Sequence, residues 1–571
     1  MTFLSKPFPA FLRNTGLASG VVQLTLFLFT ISLFQPYFET NDDVSMMLMA
    51  AGRLIVEQPT EHIAITSCMV LGWVLKMLYA LLPKQPWYGI LYFALLNVSF
   101  IIILQSLICR ATTWGGFAVL LFLYLIWYAL FGVENTVIIQ FTRLAGLLGF
   151  AAGLLLYINL SNHRNDLTKT GYIKPLIAIF LLVLASSIRI SSVIFAILLL
   201  VTTLEFYQFN LSSLKKIILT RGAILLFTLL LMLSAEYFYQ YQLRRWNVFF
   251  DEEYNLRTLV DFNSLEVSGE KEKLLKKLGW SETDYQLVMS FFFLHPAATT
   301  PAVETIFDAI GTQQLINKKQ LSLKNLQHPQ YDSRLLLICV VCLMYALFTT
   351  GRLQNLIVGI LCGLAMLKLL LFMTTITMKI PPPRVLGFAY GSLAAGIVFL
   401  TSRNTGIYNL NPRPFLLLCS VFCFLLVVYF ARNELLRIYA SSKERLHQNE
   451  LLKQTSYIFS GDMYISWANG FPYQWIQPWD DLSVYQSKIV SSTNLYPNAL
   501  SIWKSAGVND PCLTIMNGDT PVFIRRYSDL YAKDRIELLK RYFREKYLTE
   551  TEHQILSSTE YYLLVKFKPK S

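Results

Sequence analysis

Two adjacent carboxylates, Asp42 and Asp43, follow the first long apolar run of the chain in the stretch FETNDDVSMM. Residues 43–57 place apolar side chains at helical spacing, which predicts an amphipathic helix capped by Asn41 or Asp42. A capping side chain stabilises a helix by ~0.5–2 kcal/mol, and an acidic residue near the positive end of the helix dipole by ~0.3–1 kcal/mol. These structural roles account for one of the two carboxylates. The other is free for chemistry.

Desolvation at a membrane surface and repulsion from a neighbouring carboxylate both raise the pKa of a carboxyl group. It could take a proton from an attacking hydroxyl, or hold a divalent cation such as Mg²⁺ or Mn²⁺. Successive residues of a helix point ~100° apart, so the two aspartates do not aim at one atom. Asp43 is the preferred base, with Asp42 the alternative.

The composition is that of a polytopic membrane protein. Of 571 residues, 54% are hydrophobic and 15% charged, and the mean hydropathy is +0.45. Several apolar runs reach the ~20 residues that a helix needs to cross the membrane, without the alternation of a barrel. The net charge of +13 clusters in short loops between these runs, so it indicates topology rather than a nucleic-acid partner. Scattered cysteines exclude a disulfide framework and CxxC metal spacing.

The predicted fold class is an all-α polytopic membrane bundle of about eleven transmembrane helices plus interfacial helices. Segment 62–82, which carries Lys76, is expected to lie along the membrane interface, because this choice puts every basic loop and the N-terminus on the cytoplasmic face. The predicted membrane spans are 17–37, 87–109, 113–131, 138–159, 174–188, 190–208, 222–241, 334–350, 353–377, 385–402 and 414–431.

The chain divides into a transmembrane domain, 1–431, with outer loops 38–87 and 242–333, and an extracytoplasmic domain, 432–571. In the second loop, SETD at 281–284 predicts a capping box and Gly279 a helix end. The tail begins with a charged helix through about Gln454. It continues with short aromatic segments, a helix near 529–547 and the strand-like EYYLLVKFK, which predict a small α+β domain.

The order of these parts resembles that of the type C glycosyltransferases (GT-C fold), polytopic enzymes that use polyprenyl-phosphate sugars. Members share a first helix, an outer loop with a catalytic aspartate, interfacial helices and a hydrophobic bundle, often with an outer soluble domain. The matching pieces are NDD at 41–43, the interfacial segment 61–78 and the short outer turn that carries Glu134, and the resemblance covers about residues 1–430. It departs at His62, which lacks the prolines of the His-Pro-Pro segment common in relatives, and in having no Trp-Trp-Asp signature.

The resemblance implies an inverting sugar transfer at the outer face of a bacterial inner membrane. Asp43 or Asp42 would deprotonate an acceptor hydroxyl, which attacks the anomeric carbon while polyprenyl phosphate leaves. The implied partners are a polyprenyl-phosphate sugar donor, membrane lipids, and an acceptor that is a glycan, a lipid or a protein. A bacterial origin is inferred from the compact chain and its lack of eukaryotic targeting signals.

A departing phosphate needs cations. Lys379 and Arg384 flank three prolines in MKIPPPRVL and break the positive-inside trend, so they are expected to grip a lipid phosphate at the outer surface, unless they only snorkel to headgroups. Arg189, in SSIRISS near a membrane end, could contact phosphate or pair with an aspartate.

Three further residues are candidates for binding. Glu134 could meet Asp42 and Asp43 and complete an oxygen-ligand metal site, or it could simply end a helix. Arg257 lies among aromatic residues in a mixture that suits sugar recognition or an ordinary folded loop. His62 is a substrate-binding candidate through the resemblance.

Other functions remain open. A transporter or flippase for lipid-linked glycans predicts charges at mid-bilayer depth and two related halves, whereas Lys76 and Lys368 are isolated in the sequence and the halves look unlike. A glycan ligase or polymerase usually places its working residues in one large late loop. A non-catalytic membrane scaffold would tolerate loss of both aspartates.

Overall fold

The computed structural model has the architecture of a helical membrane bundle that carries a small mixed domain at its C-terminal end. It describes residues 6–9, 16–53, 59, 69–162, 173–205, 271–290, 292, 294, 305, 328–348, 353–378, 382–404, 414–454, 463–467, 470–482, 488–491 and 508–570. The predicted span 222–241 lies outside these residues.

The helices are numbered in chain order. They are α1 (Leu17–Leu33), α2 (Asn41–Ala50), α3 (Met69–Leu81), α4 (Trp87–Ile108), α5 (Trp114–Trp127), α6 (Val133–Val137), α7 (Phe141–Asn162), α8 (Ile173–Glu205), α9 (Lys271–Leu278), α10 (Glu282–Met289), α11 (Pro329–Phe348), α12 (Leu353–Met378), α13 (Pro383–Asn404), α14 (Pro414–Gln454), α15 (Pro511–Asn517) and α16 (Asp529–Tyr547).

Among the described residues, five helical stretches are long and apolar enough to cross a membrane. They are Trp87–Ile108, Trp114–Val137, Phe141–Asn159, Ile173–Leu204 and Pro383–Ser402. Shorter apolar helices accompany them, and the described part of α3, with 13 residues, rises ~20 Å. The chain is therefore a multi-pass membrane protein, and the predicted polytopic helical fold is confirmed.

The core of the bundle centres on α7 and α13. The apolar windows of these two helices are 83% and 94% buried, more than those of the other long spans. They approach closely where the ring of Phe388 lies against Gly146, a position that leaves no room for a side chain.

Helix α2 starts earlier and ends sooner than predicted. Thr40 is its extended N-cap residue and makes no side-chain cap bond, so the predicted cap by Asn41 or Asp42 is wrong. The helix ends at Ala50 because Gly52 adopts a positive φ of 68°, which stops the helix before the predicted end at 57.

The predicted outer turn 131–137 is helical instead. Helix α5 passes through a π-helical turn, Tyr128–Gly132, directly into α6. The extension points Glu134, which was expected on a surface turn, into the buried interior, where it is 1% exposed.

Helix α8 is broken at Arg189, whose φ and ψ are −161° and 99°. Arg189 lies at the N-terminal end of α7. Beyond it, Val193 packs on Gly149 and Ile197 on Gly153, so the second half runs back alongside α7 in the same direction. The predicted boundary between two apolar segments at this arginine is confirmed.

The C-terminal domain is built on a five-stranded sheet in the order β4-β3-β5-β7-β6. Strands β4, β3 and β5 are parallel, and β5, β7 and β6 are antiparallel. The strands are β3 (Met463–Trp467), β4 (Lys488–Ser491), β5 (Val522–Arg525), β6 (Thr551–Ser558) and β7 (Tyr562–Pro569). With α15 and α16 they form the predicted small α+β domain.

One helix connects the membrane bundle to this domain. Helix α14 has 41 residues, ~60 Å, and crosses residue 432 without interruption. The described part of the second predicted loop joins the same domain: Ser281 and Asp284 form the predicted capping box at α10, and Thr283 donates to Glu545 of α16 at 2.7 Å. Gly279 ends α9 with a φ of 66°, as predicted.

The C-terminal domain rests on the end of the bundle that carries α2, which we call the acidic end. The amide of Gln474 donates to Oδ1 of Asn41 at 3.2 Å. The rings of Phe93 and Trp479 stack with centroids 4.7 Å apart. The C-terminal domain therefore covers the start of α2.

Candidate active site at the acidic end

A short strand pair brings the paired aspartates to the start of α7. Strands β1 (Tyr37–Phe38) and β2 (Ile138–Ile139) are parallel and in register. The amide of Glu39 continues the pairing by donating to the carbonyl of Ile139 at 3.0 Å. Because α2 follows β1 directly and α7 follows β2, the first turns of the two helices meet.

Asp43 is fully buried at this junction. Its Oδ1 accepts from the hydroxyl of Tyr88 at 2.8 Å and from the amide of Phe141, the first residue of α7, at 2.9 Å. Burial raises the pKa of Asp43 well above its ordinary value, and the neighbouring charges of Asp42 and Glu39 add to the rise, although both hydrogen bonds oppose it. Asp43 thus joins α2 to α7 as a buried carboxyl whose ionised form is disfavoured.

Asp42 occupies a different environment. Its side chain is half-buried, and it makes no hydrogen bond or ion pair with any residue that the structure describes. The two aspartates point in different directions, as the ~100° helical step requires. Of the pair, Asp42 has the carboxylate that a ligand can reach.

A chain of buried ion pairs runs beside the aspartates. Arg143 donates from Nε to Glu39 and from Nη1 to Glu134, both at 2.9 Å. Glu134 is bonded in turn by Nη1 of Arg334 at 2.6 Å and by the hydroxyl of Tyr331 at 2.8 Å. Each polar group therefore has a partner of opposite charge or a hydroxyl donor.

The chain continues into the helix that enters the C-terminal domain. Nη2 of Arg334 lies 2.8 Å from Glu434 of α14, which also pairs with Arg437. The three carboxylates alternate with three guanidinium groups, so the charges balance. We call this set, Glu39, Arg143, Glu134, Arg334, Glu434 and Arg437, the ion chain.

The acidic groups do not suit a divalent cation. Both oxygens of Glu134 face guanidinium groups, which repel a cation. Among the described residues, no three His, Cys, Asp or Glu side chains lie close enough together to hold a metal ion. Asp42, Asp43 and Glu134 therefore do not fit the metal site that their sequence positions suggested.

Arg189 reaches the same helix start as Asp43. Its Nη1 donates to the hydroxyl of Thr142 at 3.3 Å, and its guanidinium lies 5.4 Å from the ring centroid of Phe141. Since the amide of Phe141 bonds Asp43, the break in α8 brings a cation close to the paired aspartates.

Arg384 also lies at the acidic end. It is the second residue of α13 and half-buried, and one turn later Gly387 lies against the guanidinium of Arg143. The remaining predicted binding residues, Lys379, Arg257 and His62, fall outside the described residues.

Sequence reasoning missed a second polar cluster next to the ion chain. Lys368, which looks isolated in α12, has its Nζ 2.8 Å from Oδ1 of Asp332 and 3.1 Å from the hydroxyl of Tyr390. That interpretation was wrong because the partner lies 36 residues away on another helix. The polar stretch YDSR at 331–334, placed just before an apolar run, was the available signal.

Comparison with known proteins gives a distant likeness to a solved structure. No protein-family model matches the chain, and no curated protein matches it either. Among solved structures, it is similar to the crystal structure of ArnT from Cupriavidus metallidurans bound to undecaprenyl phosphate, with 11% identity and a TM-score of 0.38, over 96% of this chain and 97% of that one.

Proposed function

We propose that this protein is an inverting glycosyltransferase that moves a sugar from a polyprenyl-phosphate donor to an acceptor hydroxyl at the outer face of a bacterial inner membrane. The observation that carries the proposal is the accessible carboxylate of Asp42 beside the buried carboxyl of Asp43, at the end of a membrane bundle where Arg189 and Arg384 also lie. The C-terminal domain covers this end and would lie outside the membrane.

Asp42 is the base in this proposal, in place of the sequence-based preference for Asp43. A base must come within hydrogen-bond reach of the proton it takes, and Asp43 is 0% exposed with one oxygen held by two donors. Asp43 is instead a positioning residue. Its hydrogen bond from the amide of Phe141 holds the first turn of α2, and with it Asp42, against the start of α7.

The reaction is a single displacement. Asp42 takes the proton of the acceptor hydroxyl, whose oxygen forms a bond to the anomeric carbon on the face opposite the phosphate. The bond from that carbon to the phosphate oxygen breaks, its electron pair stays on the phosphate, and the anomeric configuration inverts. Arg189 and Arg384 would offset the charge that develops on the phosphate. Lys379, Arg257 and His62 are further candidates for donor contacts.

An apolar cleft supplies a place for the lipid tail. It measures about 510 Å³ and lies between α1, α5 and α14, close to the acidic end. Its lining includes Leu33, Phe34, Phe122, Ile126 and Tyr439, together with a charged side chain, Arg432. An isoprenoid chain fits such a cleft by burial of its apolar surface.

The test compares two isosteric substitutions in cells that lack the chromosomal copy. Asp42→Asn should abolish the glycan product, measured by mass spectrometry of envelope glycans, while protein abundance stays at the wild-type level. Asp519→Asn, an exposed carboxylate of the C-terminal domain, is the matched control and should restore the product fully. Restoration of the product by Asp42→Asn would exclude this carboxylate as the base.

Transport of a lipid-linked glycan is the second candidate. It is favoured by the ion pair between Lys368 and Asp332, since charges within membrane helices often line a translocation route. A transporter has no use for a base at Asp42, so a variant that keeps full function with Asn at this position would favour it.

A further inference from the structure

The Lys368 cluster is compact and lies within the membrane helices. Nζ of Lys368 and the hydroxyl of Tyr390 both approach Oδ1 of Asp332, at 2.8 and 2.7 Å. The amide of His328 donates to Oδ2 of the same carboxylate at 3.0 Å. One carboxylate therefore holds an ammonium group and a phenol in fixed positions.

The cluster adjoins the ion chain at the acidic end. Tyr331, the neighbour of Asp332 on α11, bonds Glu134, and its ring lies 5.5 Å from that of Tyr390. Tyr390 is about one turn along α13 from Gly387, which contacts Arg143. The ammonium group of Lys368 is thus linked to the ion chain through Tyr390 and Tyr331.

The cluster differs from the ion chain in its exposure. The side chains of Lys368 and Asp332 are 38% and 36% exposed, whereas those of Arg143, Glu134 and Arg334 are at most 4% exposed. Charges that face hydrocarbon are costly, so the open side of this pair faces water or a polar headgroup. Among the described residues, the buried Nε2 of His328 beside the pair has no hydrogen-bond partner.

We infer that Lys368 and His328 form a binding site for the phosphate of a lipid headgroup, and that Asp332 and the buried hydroxyl of Tyr390 hold the lysine in place until the phosphate arrives. This inference rests on the proposed function, in which that lipid is the isoprenoid donor or its product. The ammonium and the imidazole N–H are both donors to phosphate oxygens. A bulk phospholipid offers the same phosphate chemistry and is the competing source.

The arrangement has a consequence that a purely structural ion pair lacks. Asp332 and the phosphate compete for the ammonium group of Lys368. Removing the positive charge of Lys368 should therefore weaken phosphate binding, whereas removing the negative charge of Asp332 should strengthen it. Lys368→Met removes the cation and should weaken phosphate binding by about tenfold or more, as expected for a charge-assisted hydrogen bond. Asp332→Asn keeps the shape, frees the ammonium group and should tighten binding severalfold.

The experiment titrates the full chain in phosphatidylcholine nanodiscs with undecaprenyl phosphate and, separately, with phosphatidylglycerol, read by native mass spectrometry. Lys76→Met is the matched control, because Lys76 is also a lysine in an apolar helix but lies elsewhere, on α3 over the ring of Trp73. The double variant Lys368→Met, Asp332→Asn carries no unpaired charge and serves if the single lysine variant fails to fold.

We expect the affinity for undecaprenyl phosphate to fall in Lys368→Met and to rise in Asp332→Asn. The affinity for phosphatidylglycerol and the behaviour of the Lys76→Met control should not change. The double variant should bind undecaprenyl phosphate more weakly than the wild-type protein. Wild-type binding that neither Lys368→Met nor the double variant alters overturns this inference and leaves the proposed function standing. Equal losses for both lipids assign the site to bulk lipid and overturn it as a substrate site. Failure of the wild-type protein to bind undecaprenyl phosphate overturns both proposals.

Discussion

Gly387 of α13 lies directly against the guanidinium of Arg143, so that a Cβ at position 387 would clash with Nη1. The guanidinium cannot move aside without losing Glu39 or Glu134. The absence of a side chain on one helix thus secures the first link of the ion chain on another.

Gly387→Ala should therefore break the ion chain at Arg143 and abolish most of the transfer activity. Thermal unfolding in detergent should also shift to lower temperature, despite the ~1 kcal/mol that alanine gains over glycine in a helix. Gly391→Ala is the control on the same helix, because its nearest neighbour, Cβ of Phe131, would be at an ordinary 3.5 Å. Equal behaviour of the two variants would show that the contact with Arg143 is unimportant.

Asp43 should make the stability of the protein depend on pH. Folding raises its pKa above the ordinary value of 3.8, so its stabilising contribution is complete below that value and is lost as the pH rises through the raised pKa. Asp43→Asn removes this loss, because the amide oxygen still accepts from Tyr88 and Phe141.

The measurement is thermal unfolding from about pH 4 to about pH 9. The wild-type protein should lose stability relative to Asp43→Asn toward alkaline pH, and the variant should keep its place in the membrane. Parallel curves over the whole range would contradict a raised pKa. Asp519→Asn, an exposed position, provides the reference curve.

The ion chain predicts unequal costs for its arginines. Arg334→Met leaves Glu134 and Glu434 with unbalanced buried charge and should cost about 3–5 kcal/mol of unfolding free energy. Arg437→Met, at the 51% exposed end of the chain, should cost about 0–1 kcal/mol. Chemical unfolding of the purified variants gives both values.

The double variant Glu134→Gln, Arg334→Met tests whether the groups act as one network. It removes one charge of each sign, so it should cost less than the sum of the two single substitutions. Strict additivity would mean that the two side chains stabilise the fold independently.

A glycine also allows close contact between the bundle and the C-terminal domain. A Cβ at Gly89 of α4 would lie 2.5 Å from the carbonyl oxygen of Pro478. Gly89→Ala should loosen the domain and speed its release in limited proteolysis, whereas Gly20→Ala, with open space around it, should not. Unchanged cleavage in Gly89→Ala would indicate that the contact between the two domains accommodates the added methyl group without loss of stability.

Local features of the fold were predictable because their signals are local. The capping box of Ser281 and Asp284, the helix end at Gly279 and the break at Arg189 each depend on residues within one or two turns. Apolar run lengths likewise determined the membrane helices. The early end of α2 had a local signal too, at Gly52, which the apolar periodicity outweighed.

The polar pairs were not predictable for the opposite reason. Glu134 and Arg334 are 200 residues apart, and Lys368 and Asp332 are 36 apart, so nothing in either neighbourhood names the partner. The sequence could show that a buried charge needs a counter-ion, but the choice among many candidates depends on packing. The sequence also did not show which of the two aspartates is buried, which depends on the amide of Phe141 beside Asp43.

The unbroken course of α14 fixes the rotational phase between the bundle and its appended sheet. Glu434 is tied to α11 and, fifteen residues on, Asn449 is tied to the carbonyl of Trp475 and to Asp480. Inserting one residue between them would swing the sheet ~100° about the helix axis, and a seven-residue insertion would nearly restore its azimuth while raising it ~10 Å. The number of residues between Glu434 and Asn449 therefore determines how the C-terminal domain is oriented over α2.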